Sequence, residues 1–133
     1  YKEEYGFLMK EGELNLNHIG LIKFPSMIRY LINLKFLDIS NNNLLLLPEY
    51  LDELIHIESF LCRNVNLQLL PKNFGNLKKI SILDLSNNQL TTLPESIENL
   101  TNLTELDISQ NPISLSERTK LLDVFGTAVV CKV

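Results

Sequence analysis

Two cysteines and two histidines are the residues of this chain best suited to nucleophilic or metal-binding chemistry. A tetrahedral metal site needs several ligands at short, fixed spacings, and the Cys, Asp and Glu residues near His18 and His56 do not have a spacing that would build one. The sequence also contains no glycine-rich phosphate loop and no Gly-x-Ser-x-Gly elbow. We therefore predict a protein that is not an enzyme, with no catalytic residues, no metal and no cofactor.

The acidic residues recur because the whole sequence recurs. From Glu11 onward the chain repeats every 23 residues, with copies starting at residues 11, 34, 57, 80, 103 and 126. The second copy reads LKFLDISNNNLLLLPEYLDELIH and the fourth reads ISILDLSNNQLTTLPESIENLTN. Apolar residues occupy repeat positions 1, 4, 6, 11, 14, 18 and 21, and position 15 is Pro in four copies (Pro25, Pro48, Pro71 and Pro94). A single unit cannot bury such an apolar face alone, so the pattern predicts stacked coils.

Two parts of the repeat have different periodicities. Repeat positions 4 and 6 have the two-residue period of a strand, which puts both side chains on one side of a short extended segment facing the core. Repeat positions 18 and 21 lie three residues apart and follow the proline, a spacing that suits a helical or 3₁₀ turn. Each copy is therefore predicted to form one coil, with its strand beside the strand of the next copy.

These residues resemble the leucine-rich repeat family, whose pattern LxxLxLxxNxLxxLPxxLxxLxx is matched from about Glu11 to Ile113. The resemblance implies an α/β fold: a curved right-handed solenoid with a parallel β-sheet on its concave face and short helical turns on its convex face. It also implies that partners bind to the concave face. The LPxxI/LxxL form and the CKV ending are similar to small repeat proteins of pathogenic bacteria, which implies export and binding to host proteins.

We predict one domain over residues 1–133, with repeats at 11–113 and a cap at each end. Residues 1–10 are predicted to be an N-terminal cap or partial repeat, formed by the helical half of a preceding unit, because Tyr1, Tyr5 and Leu8 fall at positions 14, 18 and 21 of that unit. Residues 114–133 are predicted to be a C-terminal cap. Ser114 has the character of an N-cap with Glu117 three residues later, and Gly126 is a typical helix stop, so residues 115–125 are predicted to be a helix. AVVCKV would then add an edge strand, with Val129 and Cys131 at positions 4 and 6.

Both cysteines are predicted to be small core residues. Cys62 and Cys131 occupy the same inward position of the repeat three coils apart, which is roughly 14 Å at ~4.8 Å per strand and exceeds the ~7 Å limit for a disulfide. For Cys131 the alternative is an intermolecular disulfide or a reactive thiol near the terminal edge.

Asparagine at repeat position 9 is the residue that, in this family, turns inward and bonds to the backbone of its own and adjacent coils. Asn42, Asn88 and Asn111 match this position, whereas the first and third copies have Ile19 and Val65. The backbone groups left without the asparagine must bond elsewhere. We therefore expect these two coils to be looser than the others.

The candidate partner site lies on the strand surface. Phe36, Leu61 and Ile82 are predicted to point outward on three neighbouring strands, and Leu61 stands where three other copies have Asp. Around them we expect one cation, Arg63, and a rim of five carboxylates: Glu13, Asp38, Asp84, Glu105 and Asp107. An apolar centre inside a polar rim is typical of a binding hot spot. The alternative is that these are isolated surface apolar residues, which need no functional explanation.

Composition narrows the partner class. With 12 basic and 16 acidic residues, the chain has a formal charge of −4, which disfavours nucleic acid as a partner. No apolar run reaches the ~20 residues of a membrane span. We predict a protein or peptide partner with an apolar and basic surface, and a chain that is a monomer or weak homodimer. Two alternatives stay open: a self-associating or architectural role, and a targeting or regulatory arm of a larger bacterial effector. The compartment also stays open, because the chain starts at Tyr1: a removed signal segment would give secretion or surface exposure, and otherwise the protein is cytoplasmic.

Overall fold

The chain folds into stacked coils that are joined by one continuous sheet. The structure, a computed structural model, describes the backbone of residues 9–126 and 130–132 and the side chains of residues 10–126 and Lys132. In these residues the sheet has seven strands in chain order: β1 (Met9–Lys10), β2 (Glu13–Asn15), β3 (Phe36–Asp38), β4 (Ser59–Leu61), β5 (Ile82–Asp84), β6 (Glu105–Asp107) and β7 (Val130–Lys132). Strands β2 to β7 pair in parallel, as predicted for an open leucine-rich repeat solenoid with its sheet on the concave face.

The 23-residue register is confirmed through β6. Leu14, Leu37, Phe60, Leu83 and Leu106 share repeat position 4, and each is paired with the next in the sheet. All five side chains are at most 1% exposed. Packing each coil against its neighbours removes apolar surface from water, which stabilises the fold by about 25 cal/mol per Å² of buried surface. The stack itself therefore provides the core.

A short 3₁₀ turn returns the chain along the convex side of each of the first four coils. These turns are Ser26–Tyr30, Glu49–Glu53, Phe74–Asn76 and Glu95–Asn99. In three of them the residue before the turn is the repeated proline, whose fixed φ suits the entry to a helical turn. The apolar residue at repeat position 18 is buried inside every one of these turns, as its spacing predicted.

The amino-terminal end of the sheet is closed by a hairpin. β1 pairs antiparallel with β2 through a turn in which Glu11 and Gly12 have φ of 22° and 81°. The helical turn predicted for residues 1–10 therefore does not include Met9 and Lys10. Tyr1, Tyr5 and Leu8, on which that prediction rested, lie outside the described residues.

The carboxy-terminal helix is confirmed at both ends. Helix α1 spans Leu115–Phe125, the hydroxyl of Ser114 accepts a hydrogen bond from the backbone N–H of Glu117, and Gly126 ends the helix with a φ of 61°. The predicted edge strand also forms, but its register is two residues later than predicted. Leu106 pairs with Cys131 and Asp107 with Lys132, so the residues of β7 occupy positions 3 to 5 of the repeat.

The register shift has a simple cause. The last coil contains an α-helix of 11 residues where the earlier coils have 3₁₀ turns of three to five residues. The assignment of Val129 and Cys131 to positions 4 and 6 is therefore wrong, because the last coil is longer than 23 residues. Position 4 holds Cys131, whose side chain lies outside the described residues, as does the whole of Val129.

Cys62 is a core residue, as predicted. Its side chain is 0% exposed. Burial raises the pKa of the thiol, and the nearby carboxylates of Asp84 and Asp38 raise it further. A thiol that stays protonated and inaccessible cannot act as a nucleophile.

The asparagine ladder forms across the coils, and Val65 interrupts it. Asn42, Asn88 and Asn111 are each at most 8% exposed, and each amide nitrogen donates to the carbonyl at repeat position 6 of its own coil. The same amide nitrogens also donate to that carbonyl in a coil nearer the amino terminus. Ile19, at the same position in the first coil, is 40% exposed and does not turn into the core.

The gap at Val65 is closed by the backbone. The carbonyl of Val65 accepts hydrogen bonds from the N–H groups of Leu44 and Leu45 at 3.0 and 3.2 Å. On the other side, the side-chain oxygen of Asn88 accepts from the N–H groups of Val65 and Leu67, both at 3.0 Å. The backbone groups that lack an asparagine partner in this coil are therefore bonded to an adjacent coil.

Candidate functional site

The three apolar residues of the predicted patch lie around one serine on the concave sheet. Phe36 and Ile82 each pair with Ser59, one from β3 and the other from β5. Leu61 lies two residues beyond Ser59 on β4 and therefore points to the same side of the sheet. At ~4.8 Å between strands and ~6.7 Å between alternate residues, the Cα atom of Leu61 lies about 8 Å from those of Phe36 and Ile82. All three side chains are half-buried.

Leu61 and Ile82 line a shallow hollow of about 190 Å³ on this face. Its rim carries the carboxylates of Asp84, Glu105 and Asp107, and Lys132 closes it at the carboxy-terminal side. Five of the nine predicted site residues are thus brought together in one concavity. Phe36, Arg63, Asp38 and Glu13 do not line it.

The acidic residues at repeat position 5 have a structural task as well as a charge. In Asp84 and Asp107 one carboxylate oxygen accepts hydrogen bonds from both the N–H and the hydroxyl of the serine two residues later, at 3.0 and 2.6 Å in each case. The carboxylate therefore ties down the chain where the strand ends. Both residues are still partly exposed, so the second oxygen of each is available at the surface.

Asp38 does not fulfil the expectation of an exposed rim carboxylate. It is 6% exposed, one of its oxygens accepts from the N–H of Ser40 at 2.9 Å, and the other accepts from the side-chain amide of Asn17 at 3.2 Å. With both oxygens bonded inside the protein, Asp38 stabilises the turn and is not a contact residue.

Leu61 replaces one of these carboxylates, and a neighbouring coil takes over its structural task. An Asp at position 61 would accept a hydrogen bond from the N–H of Arg63. That N–H instead donates to the hydroxyl of Ser40 at 3.1 Å. The fold therefore does not depend on the identity of residue 61. This compensation by Ser40 was not predicted, because it joins residues of different coils.

The charges around the hollow are predominantly acidic. Glu13, Glu105 and Arg63 are exposed, as predicted. A last coil that began at residue 126 would put Lys132 at repeat position 7, but the longer last coil puts it at position 5, where its ammonium lies 3.9 Å from a carboxylate oxygen of Asp107. The side chain of Lys132 is 70% exposed, so this ion pair is loose and a partner's cation can displace it.

A second apolar surface was missed by the sequence analysis. Ile22, Leu45, Leu46 and Leu69 are 80%, 44%, 56% and 55% exposed, more than any of the residues in the predicted concave patch. They occupy repeat positions 12 and 13, in the segment between the strand and the 3₁₀ turn. These positions have no fixed polarity among the copies, so periodicity does not reveal which way they point.

The residues singled out for chemistry are dispersed. In the part of the chain that the structure describes, no three His, Cys, Asp or Glu side chains come together as a metal site. The ring nitrogen Nδ1 of His56 lies 3.0 Å from the ammonium of Lys79, and His18 is exposed in a turn. No helix within residues 9–126 and 130–132 has the length and apolar character needed to cross a membrane.

Comparisons with known proteins agree with this architecture. A leucine-rich repeat model matches residues 60–113, and a second leucine-rich repeat model matches residues 33–54 and 102–127. Among solved structures, a leucine-rich repeat protein of Leptospira interrogans is similar to 91% of the chain at 33% identity, with a TM-score of 0.77. The leucine-rich repeat ectodomain of the receptor kinase SOBIR1 from Arabidopsis thaliana is similar to 76% of the chain at 31% identity, with a TM-score of 0.66.

The relatives are longer than this chain. The matched region amounts to 36% of the Leptospira chain and 57% of the Arabidopsis chain. A search of curated proteins by sequence found no match.

Proposed function

Because the chain belongs to the leucine-rich repeat family, whose domains bind protein partners, we propose that it binds a protein or peptide through the concave hollow around Leu61 and Ile82 without catalysing a reaction. The single observation that carries this proposal is the position of Leu61. It replaces a structural carboxylate, the fold compensates with Ser40, and an apolar side chain is thereby presented among carboxylates.

The partner is expected to offer a bulky apolar side chain next to Arg or Lys. Leu61 and Ile82 provide the apolar surface, while Asp84, Glu105 and Asp107 surround it with negative charge. Such a rim accelerates encounter with a basic partner and loses effect as salt is added. The chain's formal charge of −4 acts in the same direction.

Residues outside the hollow have secondary roles in this proposal. Phe36 extends the apolar surface on β3, and Arg63 and Glu13 are exposed at its margin. We expect Asp38 to affect stability and not affinity, because its oxygens are bonded within the protein.

A peptide-display selection on the wild-type chain tests the proposal. We expect the enriched peptides to combine an aromatic or aliphatic residue with Arg or Lys. Their affinity should fall on the order of tenfold or more in Leu61→Asp, since burial of one such side chain contributes about 1.5–3 kcal/mol. Leu61→Ala separates the loss of apolar contact from the added charge.

A matched control lies on a different face. Ile55→Thr removes an exposed aliphatic side chain that lies outside the hollow, so it should leave the affinity of these peptides unchanged. Unchanged binding to Leu61→Asp, with the fold intact by circular dichroism, would show that the hollow is not the site.

Two further candidate functions remain proposals. Self-association through the outer edge of β7 predicts a sedimentation coefficient that rises with concentration, whereas the peptide-binding function does not require it. A role as the targeting or regulatory arm of a larger bacterial protein is supported by the length of the two solved relatives, and a longer reading frame around this chain would favour it.

A further inference from the structure

A groove lined by apolar side chains runs along the flank of the first two coils, away from the concave face. We call the exposed residues beside it, Ile22, Leu45, Leu46 and Leu69, the apolar flank. Leu46 and Leu69 are joined by an isolated parallel bridge, which aligns their side chains in adjacent coils. Four neighbouring aliphatic side chains that are 44–80% exposed are unusual for a surface on which single exposed apolar residues are the norm.

The groove has a volume of about 430 Å³. Phe24, Leu44 and Leu47 are buried side chains that line it, and Pro48 and Tyr50 form part of its walls. This volume is large enough for one or two bulky apolar side chains of a ligand.

The backbone of the apolar flank is held in an unfavourable conformation. Leu45 has a φ of 64°, in the left-handed region that aliphatic side chains rarely adopt. The other non-glycine residues with positive φ in the described chain are Asn, His, Gln and Glu. Leu45 therefore exposes an aliphatic side chain in a backbone conformation that Gly or Asn would adopt at lower cost.

The fold does not require apolar residues at these positions. Thr91 and Thr92 hold the same repeat positions in the fourth coil and are exposed like their counterparts in the apolar flank. A coil with threonine at both positions therefore folds normally in this same protein.

The occupant can be inferred from area and charge. At about 30 Å² per aliphatic carbon, the exposed parts of the four side chains present on the order of 300 Å² of apolar surface. A stable dimer buries roughly 800 Å² on each partner, so a second copy of the chain is disfavoured. Lys23 is the one charged residue among those lining the groove, and it favours a carboxylate in the ligand.

We infer that the apolar flank is a second binding surface, which takes a short peptide segment containing bulky aliphatic side chains next to Asp or Glu. Its charge preference is opposite to that of the concave hollow, where carboxylates surround Leu61 and Ile82. The two surfaces therefore select different ligands, and each can be removed without the other.

Two fluorescein-labelled peptides test the inference on the full chain. The acidic probe has the sequence GEELLEEG, and the basic probe is GKKLLKKG. We expect the acidic probe to bind with at least threefold higher affinity than the basic probe to a Leu61→Asp variant, in which the concave hollow is disabled. The triple variant Ile22→Thr, Leu46→Thr and Leu69→Thr, matched to the fourth coil, should lose at least tenfold in affinity for the acidic probe.

The charge reversal Lys23→Glu tests the charge preference separately. It should abolish or invert the preference between the two probes without removing apolar surface. The inference is overturned if the acidic probe shows no saturable binding up to about 1 mM. It is also overturned if the triple variant binds that probe as tightly as wild type, or if wild type sediments as a dimer that the triple variant dissociates. None of these outcomes depends on whether the concave hollow binds its own partner.

Discussion

Replacing Asn88 with valine should strongly destabilise the protein, although a valine occupies the equivalent position in the preceding coil. Asn88 is 2% exposed, and its side chain makes five hydrogen bonds. Its oxygen accepts from the N–H groups of Val65 and Leu67, and its nitrogen donates to the carbonyls of Cys62, Leu85 and Ser86.

Three of these five backbone groups would be left without a bond. The carbonyl of Leu85 would still accept from the side-chain amide of Asn111, and the carbonyl of Ser86 would still accept from the N–H of Asn64. In the described chain no second partner is present for the N–H groups of Val65 and Leu67 or for the carbonyl of Cys62. At about 1–3 kcal/mol for each buried group left unpaired, with partial relief from local relaxation, the free energy of unfolding should fall by about 3–5 kcal/mol.

Urea denaturation followed by far-ultraviolet circular dichroism would measure this loss as a lower midpoint at an unchanged slope. Asn87→Gly is the matched control. Asn87 is the adjacent residue of the same type, it is exposed, and its φ of 55° suits glycine. We expect a change within about 0.5 kcal/mol for this control.

The hydrogen bonds of the asparagine ladder also predict a rank order of stability losses. Asn111→Val would leave only the N–H of Leu90 and the carbonyl of Ile108 unpaired, because Leu85 and Ser109 keep other donors. It should therefore cost less than Asn88→Val. Equal losses in the two variants, or a loss in Asn88→Val below about 1 kcal/mol, would refute the count of unpaired groups as the basis of stability.

Two further predictions concern the core. Gly75→Ala should lower the free energy of unfolding by about 2–3 kcal/mol or more, because a Cβ atom at Gly75 would lie 1.7 Å from the carbonyl oxygen of Ser96 and force the two turns apart. The control Ser96→Ala removes only hydrogen bonds and should cost about 1 kcal/mol in the same denaturation assay. The buried thiol of Cys62 should be unreactive towards a disulfide reagent in the native state. Because burial raises the pKa of this thiol, the folded protein keeps the thiol proton at a pH above about 8.5, where the unfolded chain loses it. The free energy of unfolding should therefore decline at higher pH, and Cys62→Val should remove this part of the decline.

The repeat register could be read from the sequence because burial enforces it. A one-residue slip would turn Leu37 or Leu83 from the core to the concave surface, so their alternation fixes each strand. The register of the last strand, β7, could not be predicted in this way. A helix of 11 residues is a valid replacement for a 3₁₀ turn, and counting in steps of 23 cannot allow for the two extra residues that bring Cys131 opposite Leu106.

The candidate site was predicted only in part, for reasons of hydrogen bonding. The strand period correctly put Leu61 and Ile82 on one surface. It could not distinguish Asp38, whose oxygens are both bonded internally, from Asp84, which keeps one oxygen at the surface. That difference depends on the side chain facing Asp38 from the preceding coil, Asn17, and lies outside any pattern within one repeat.

The missing ladder asparagine and the apolar flank are connected through the backbone. In the first, third and fourth coils the N–H at repeat position 11 donates to an asparagine side chain. In the second coil the N–H of Leu44 donates to the carbonyl of Val65, and the N–H of Leu45 donates to the same carbonyl. Leu45 is the single residue at repeat position 12 in the described coils with a positive φ. The carbonyl of Val65 thus accepts from repeat positions 11 and 12 of the preceding coil, whereas the ladder asparagines accept from position 11 and not from position 12. The chain bends at Leu45, where this additional bond forms. The substitution that interrupts the ladder therefore explains the backbone conformation of Leu45. The exposure of Leu46 needs no bend, because Leu69 and Thr92 are exposed at the same repeat position.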